Sequence, residues 1–210
     1  MLEIGAGANP TLSPSYVRRH DLEYTTNDVS AAELERAGAD YRTLCLDMAT
    51  ADGTAVPEGA FDFVFSRMVN EHVSDGERYH RNIHRALRPG GISAHCFSTL
   101  FALPFLVNRL LPESIAGRLF NAVVPRAGGR HDRFRAHYSW SRGPSPTMIA
   151  RLDAVGFDVL EYRGYFGHRY YDRGGLGPLA RLEEAKAAWL LRRPVPALTS
   201  YAAVVLRKRA

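Results

Sequence analysis

Five short apolar segments recur along the first hundred residues, at Leu2–Ile4, Leu22–Thr26, Tyr41–Leu46, Phe61–Ser66 and Ile92–Phe97. Strands that alternate with helices at this spacing pair into a parallel α/β sheet. The first link holds Pro10 and Pro14, so any helix in it is short. Ser30 with Glu33 three residues on predicts a capped helix that stops near Gly38. Asp75–Leu87 reads as a helix with Ile83 and Leu87 on one face, ended by a turn at Arg88-Pro89-Gly90-Gly91. Beyond residue 145 the pattern predicts a helix over Pro146–Val155 closed by Gly156 and a strand at Phe157–Tyr165. A helix over 179–192 and a terminal strand at Ser200–Leu206 follow.

A chain of 210 residues suits one domain with a substantial core, and no internal repeat or domain boundary is visible. Its 46% hydrophobic and 23% charged content exclude a disordered chain. No apolar run reaches the roughly 18–20 residues of a membrane span, and no secretory leader is visible, so a cytoplasmic location is expected. Cys45 and Cys96 each stand alone in an apolar run, which predicts buried free thiols and no metal site. Charge is uneven. Residues 1–100 carry 9 basic and 14 acidic side chains, whereas residues 101–210 carry 18 and 8. A basic half suits an anionic substrate, a membrane surface or nucleic acid. Arginine supplies 25 of the 27 basic residues, which genome composition also explains.

The chemistry begins at the first turn, Glu3-Ile4-Gly5-Ala6-Gly7. Two glycines let a ligand approach the backbone closely, because no Cβ intrudes and positive φ costs nothing. A carboxylate two residues before the first glycine repels a phosphate, so the turn suits a ligand with positive charge and hydrogen-bond donors. Asn9-Pro10 also breaks the GxGxxG spacing of a dinucleotide site.

Six elements follow in order: Glu3-x-Gly5-x-Gly7, Asp28-Val29-Ser30, Leu46-Asp47-Met48, Phe61-Asp62-x-Val64-x-Ser66, Glu71-His72-Val73 and Leu87-Arg88-Pro89-Gly90-Gly91. Each is common alone. In this order and spacing the chain resembles the class I S-adenosylmethionine (SAM)-dependent methyltransferases of the small-molecule type. The resemblance implies a doubly wound, mostly parallel seven-stranded sheet with helices on both faces and an antiparallel last strand. It also implies SAM as the cofactor. Gly5, Ala6, Gly7 and Asn9 would border its methionine part, with Glu3 organising the loop beneath. Asp28, 23 residues after Gly5, would take the ribose hydroxyls beside Val29. Asp47 would take the adenine amino group and Met48 would pack on the ring. Ser66, Arg67 and Met68 would line the gap between cofactor and acceptor. The chain departs from the family at Asn9, which replaces a third glycine; asparagine tolerates a left-handed turn there. Met1 already lies in the first strand, so the helices that precede it in the family are expected to be missing, by loss or truncation.

The acceptor is not specified by these motifs. The stretch 99–146 is far longer than a bare connection and is expected to be an acceptor-binding insertion or lid. Its apolar residues followed by Arg126, Arg130, Arg133 and Arg135 suit a lipid-like, polyketide-like or aromatic acceptor with an anionic group. Residues 100–125 also suit a peripheral membrane contact. His137-Tyr138-Ser139-Trp140 and Tyr165-Phe166-Gly167-His168-Arg169-Tyr170-Tyr171 are expected to wall the acceptor site. A hydroxyl acceptor calls for a base near neutrality, for which His72, His137 and His168 are the candidates. Two alternatives compete: an RNA methyltransferase using the basic half, and a SAM-binding partner protein without turnover. Nucleic acid is disfavoured because no separate binding module is visible. Nothing in the sequence specifies an oligomeric state.

Overall fold

The computed structural model describes residues 1–102, 136–167, 177–192 and 195–210. Seven strands form one sheet: β1 (Leu2–Ile4), β2 (Thr25–Asp28), β3 (Arg42–Cys45), β4 (Phe61–Arg67), β5 (Leu87–Ser98), β6 (Phe157–Tyr165) and β7 (Tyr201–Lys208). Their order is β3-β2-β1-β4-β5-β7-β6. The first five pair in parallel, and β7 runs antiparallel between β5 and β6. The doubly wound sheet with its antiparallel last strand is therefore the observed architecture. Five helices accompany it among the described residues: α1 (Pro14–Arg19), α2 (Ala31–Ala37), α3 (Gly76–Ala86), α4 (Pro146–Val155) and α5 (Gly177–Arg192).

Local chemistry sets most boundaries. The Ser30 hydroxyl accepts the Glu33 N–H at the start of α2. Glu33 does not close a capping box: the Ser30 N–H goes to Asp28 (3.0 Å) and Glu33 pairs with Arg36. Ser145 caps α4, Pro146 occupies its first turn, and Gly156 ends it in the left-handed conformation at φ 109°. Three expectations shift. The second strand begins at Thr25 rather than Leu22, because Thr25 N–H bonds Met1 C=O and the ladder with β1 starts there. The Arg88–Gly91 turn is a bulge inside β5, since Leu87 pairs with Phe61 and Ile92 with Phe63. Cys45 and Cys96 are free thiols as expected, but both are exposed. β3 is an edge strand that leaves Cys45 uncovered, and Cys96 lies on the face of β5 opposite to the buried His95.

Leu2, Val64, Leu87 and Leu206, from four different strands, share one fully buried core with Tyr79 and Ile83 of α3, Leu152 of α4 and Phe157 of β6. No helix among the described residues is long and apolar enough to cross a membrane. The expected membrane contact, residues 100–125, lies outside the described residues from 103 onward.

Candidate functional site

The chain reverses its direction of travel across the sheet between β1 and β4. In open α/β sheets that switch point opens a crevice beyond the carboxyl ends of the two strands, where ligands settle. The Gly5–Gly7 turn follows β1, and Arg67 and Met68 end β4 and follow it. Asp28 ends β2, and Asp47 follows β3. The fold brings the carboxyl-end candidates to one edge of the sheet, which sequence spacing alone does not do.

Gly5 and Gly7 have φ of 69° and 52°, and both need the freedom of glycine. A Cβ on Gly5 would overlap the Val69 side chain, so the β1 turn lies directly against the chain leaving β4. Asn9 does not adopt a left-handed conformation, so replacing the third glycine costs the turn nothing. Ala6 is buried and its N–H bonds Asn27 C=O at 3.0 Å. Glu3 is 3% exposed, and its carboxylate accepts the Thr11 N–H (2.9 Å), the Thr11 hydroxyl (2.6 Å) and the Tyr24 hydroxyl. Its three donors belong to the protein, so Glu3 ties down the loop beneath the turn. Burial and that Glu3 bond push the Tyr24 hydroxyl pKa well above its usual value.

Asp28 stands beside the turn. A Cβ on Gly7 would lie 3.5 Å from its Oδ2, while Oδ1 accepts the Ser30 N–H. A carboxylate oxygen and the bare Gly7 backbone thus stand side by side, a cradle that fits a polyhydroxylated, positively charged ligand. Next to it Val29 is 49% exposed and offers an apolar surface. Asp47 spends both oxygens on its own turn, on the Ala49 N–H (2.8 Å) and the Thr50 hydroxyl (2.9 Å). Met48 is only 2% exposed and belongs to the hydrophobic core. The expectation that it packs on a ring is corrected: the turn after β3 points it inward, and the exposed apolar side chain is Val29.

Ser66 is also corrected. It is 3% exposed and lies in a buried network, 2.7 Å from His95 Nδ1, donating to Asn70 Oδ1 at 3.1 Å and accepting from Tyr79 at 3.3 Å. Alternation along β4 turns Ser66 into the protein and leaves Arg67 outside. Met68 is 39% exposed and has φ of 58°, an unusual conformation for an unbranched non-glycine residue. Below it, burial depresses His80 to a pKa of about 4 and His95 to about 3, so both are neutral at pH 7. His80 Nδ1–H donates to Gly76 C=O at 2.7 Å and its ring stacks on Trp140. Trp140 therefore packs on α3 rather than walling an acceptor pocket, and Tyr138 is buried as well. Tyr165 remains exposed on β6.

His72 is the exposed residue of a 3-10 turn (Asn70–His72) after β4 whose other two residues are buried, and His137 is exposed nearby. His137 and Tyr138 N–H groups both donate to the Glu71 carbonyl, at 2.8 and 3.0 Å, so two of the three candidate histidines meet around Glu71. His168 lies outside the described residues. Glu71 itself was not among the candidates. It is 5% exposed, Oε2 has no hydrogen-bond partner among the described residues, and burial raises its pKa to about 7 against hydrogen bonds from its own backbone and Ser98. It belongs to the Glu71-His72-Val73 element, but nothing local in the sequence shows that its side chain is buried. Among the described residues no group of His, Cys, Asp or Glu side chains is placed to hold a metal ion.

Residues 2–94 match the family model of a methyltransferase domain. No curated protein matches the sequence. Among solved structures, a SAM-dependent methyltransferase from Mesorhizobium loti is similar in fold, with TM-score 0.56 and 17% identity over 99% of this chain and 89% of that one. Phosphoethanolamine N-methyltransferase 2 from Haemonchus contortus, solved with SAM, has TM-score 0.57 and 16% identity over 100% of this chain and 48% of that one. A putative methyltransferase from Haloferax volcanii, solved in complex with the Trm112 methyltransferase activator, has TM-score 0.58 and 12% identity over 100% and 82%. Over residues 2–94 the chain thus carries a methyltransferase domain, set in a seven-stranded fold that it shares with solved SAM-dependent methyltransferases.

Proposed function

We propose that the protein transfers the methyl group of SAM to a small, hydrophobic acceptor. The observation that carries the donor half is the cradle at the switch point, where the Asp28 carboxylate stands beside Gly7 and the left-handed Gly5–Gly7 backbone. Asp28 would accept the ribose hydroxyls, and Val29 would cover one side of the adenine. Asp47 has lone pairs left after its turn bonds and would take the adenine amino group. Gly5, Ala6 and Gly7 would run along the methionine part, with Asn9 at its outer end. Glu3 would act beneath them, by holding the loop.

SAM supplies an activated methyl group, so the protein's work is alignment and exclusion of water. Arg67 and Met68 would border the acceptor from the end of β4. His72 and His137 are the described candidates for taking a proton from a hydroxyl acceptor, and His168 is the third. Residues 99–146 would supply the acceptor pocket; the basic and apolar composition of that stretch supports an acceptor with an apolar body and an anionic group. The Haemonchus neighbour, by its name, methylates a phosphate-bearing amine, which agrees with an anionic group only at the level of fold.

Calorimetry with SAM and S-adenosylhomocysteine (SAH) tests the donor reading. Both are expected to bind, and Asp28→Ala is expected to weaken each about tenfold to a hundredfold by removing a charge-assisted hydrogen-bond acceptor. Unchanged affinity in that variant would remove Asp28 from the site. Incubation with methyl-labelled SAM and a panel of lipid, polyketide, aromatic and RNA acceptors then reads the acceptor class; transfer to RNA alone would overturn a small acceptor.

A further inference from the structure

Among the described residues, Glu71 is the one carboxylate around the switch point that no turn, loop or cap uses. Its backbone lies on the 3-10 turn that follows Val69, the residue against which Gly5 is packed. The acid is therefore two residues from the wall of the donor cradle. One oxygen, Oε2, is fully buried and without a hydrogen-bond partner among the described residues. An unpaired buried carboxylate is costly, and folded chains retain one where a charge or a proton comes and goes. The two non-glycine residues with positive φ at this edge, Met68 and Tyr138, flank Glu71 on either side. Backbone strain of this kind persists where the surroundings over-determine a geometry. Ser98 braces the same spot from β5, bonding Glu71 and lying 4.0 Å from the Met68 sulfur.

We propose that Glu71 reads the charge of the bound donor: it ionises when a sulfonium occupies the cradle and takes a proton back when the neutral thioether of SAH remains. This rests on the donor reading above. Glu71 is not required to touch the ligand, because a charge inside a low-dielectric wall is felt across several ångströms. Its ordinary state near neutrality is poised between the two forms, since burial has lifted the carboxyl to about 7. The consequence is directional. SAM gains an attraction that SAH does not, so the product is released more readily than the substrate.

Other titratable groups face the same carboxyl: Tyr79 from α3, Cys96 from β5 with Arg67 beside it, and Tyr138 from the 136–141 segment. His72 and His137 adjoin it along the chain and across its carbonyl. The test must separate Glu71 from these. SAM and SAH share their amino, carboxylate and ribose groups, so the ratio of their affinities cancels every pH effect except one that depends on sulfur charge. The ratio is measured by calorimetry at pH 6 and pH 8 with the full chain. SAM is expected to gain up to about tenfold over SAH across that interval, following the ionised fraction of one group. At pH 7, calorimetry in two buffers of different ionisation enthalpy is expected to show about half a proton released per SAM and none per SAH.

Glu71→Gln should abolish both effects, whereas His72→Gln and His137→Gln should keep them. A pH-independent SAM/SAH ratio in the wild-type protein overturns the proposal, as does an effect that survives Glu71→Gln. Should that variant fail to fold, the proton count in His72→Gln and His137→Gln decides: a count that persists in both supports Glu71, and its loss in either overturns the proposal. If neither SAM nor SAH binds the wild-type protein, the donor reading itself has failed and this inference falls with it. A role confined to packing would move both affinities together and leave their ratio flat.

Discussion

At the scale of single residues, the edge of the sheet separates acids that look alike in the sequence. Glu3 is held by two donors of Thr11 and by the Tyr24 hydroxyl, Asp47 serves its turn, Asp28 keeps an oxygen beside Gly7, and Glu71 keeps one with no partner among the described residues. The buried titratable groups make the stability of the protein depend on pH in two opposing ways. Glu71 has a folded-state pKa raised from 4.5 to about 7, so the folded chain holds a proton that the unfolded chain has lost. Its contribution is favourable at low pH and declines as pH rises through that window. Replacing it with the uncharged Gln is expected to cost little at pH 5. At pH 8 Glu71→Gln should be more stable than wild type by up to roughly 3 kcal/mol. His80 and His95 act in the opposite sense. Their folded-state values lie below 6.5, so stability falls as pH drops from 6.5 toward 4 and the unfolded chain takes protons that the buried rings refuse. Urea unfolding of the two proteins at pH 5, 6.5 and 8 measures both slopes.

At the scale of elements, the helices whose ends carry chemistry have the boundaries that chemistry predicts. α4 runs from Pro146 to Val155 because Ser145 caps it and Gly156 takes the left-handed position after it. β6 then starts at Phe157, as its apolar run predicts. α3 is capped by Asp75, whose side chain accepts the Arg78 N–H at 3.0 Å. That helix carries Tyr79, His80 and Ile83 into the core, so Asp75→Ala is expected to lower stability by about 1 kcal/mol, seen as a reduced urea midpoint with unchanged slope. β2 and the β5 bulge were not legible in this way. Where a ladder begins, and which strand carries extra residues, depends on a partner strand tens of residues distant.

At the scale of the whole molecule, the last third of the chain completes the sheet and is fastened to it by buried polar contacts. Glu183 of α5 is buried and bonds the Ser200 hydroxyl ahead of β7 and Lys186 at 2.8 Å. Lys186 in turn donates to Phe101 C=O at 2.7 Å, where the chain leaves β5. The buried Glu183 and the partly buried Lys186 thus join α5, the start of β7 and the beginning of the 99–146 stretch. Glu183→Ala leaves the lysine without its partner in a confined site and is expected to cost about 3 kcal/mol, measured by urea unfolding. Glu183→Gln, which keeps the hydrogen bond to Ser200, should cost less.

Read by itself, the sequence determined the parallel α/β class, the Ser30 cap and the Gly156 stop, the glycine turn after β1 and the resemblance to SAM-dependent methyltransferases. All of these rest on contacts within a few residues, or on motif order along the chain, and both are written linearly. The tertiary structure alone decided which side chains face the crevice. Ser66 and Met48 turn inward because strand alternation and the turn after β3 point them there, while Val29 is left outside. Glu71 acquires its meaning only when β4, β5 and the 136–141 segment close around it. Burial and electrostatic environment are properties of the surroundings in space, and no window along the chain contains them.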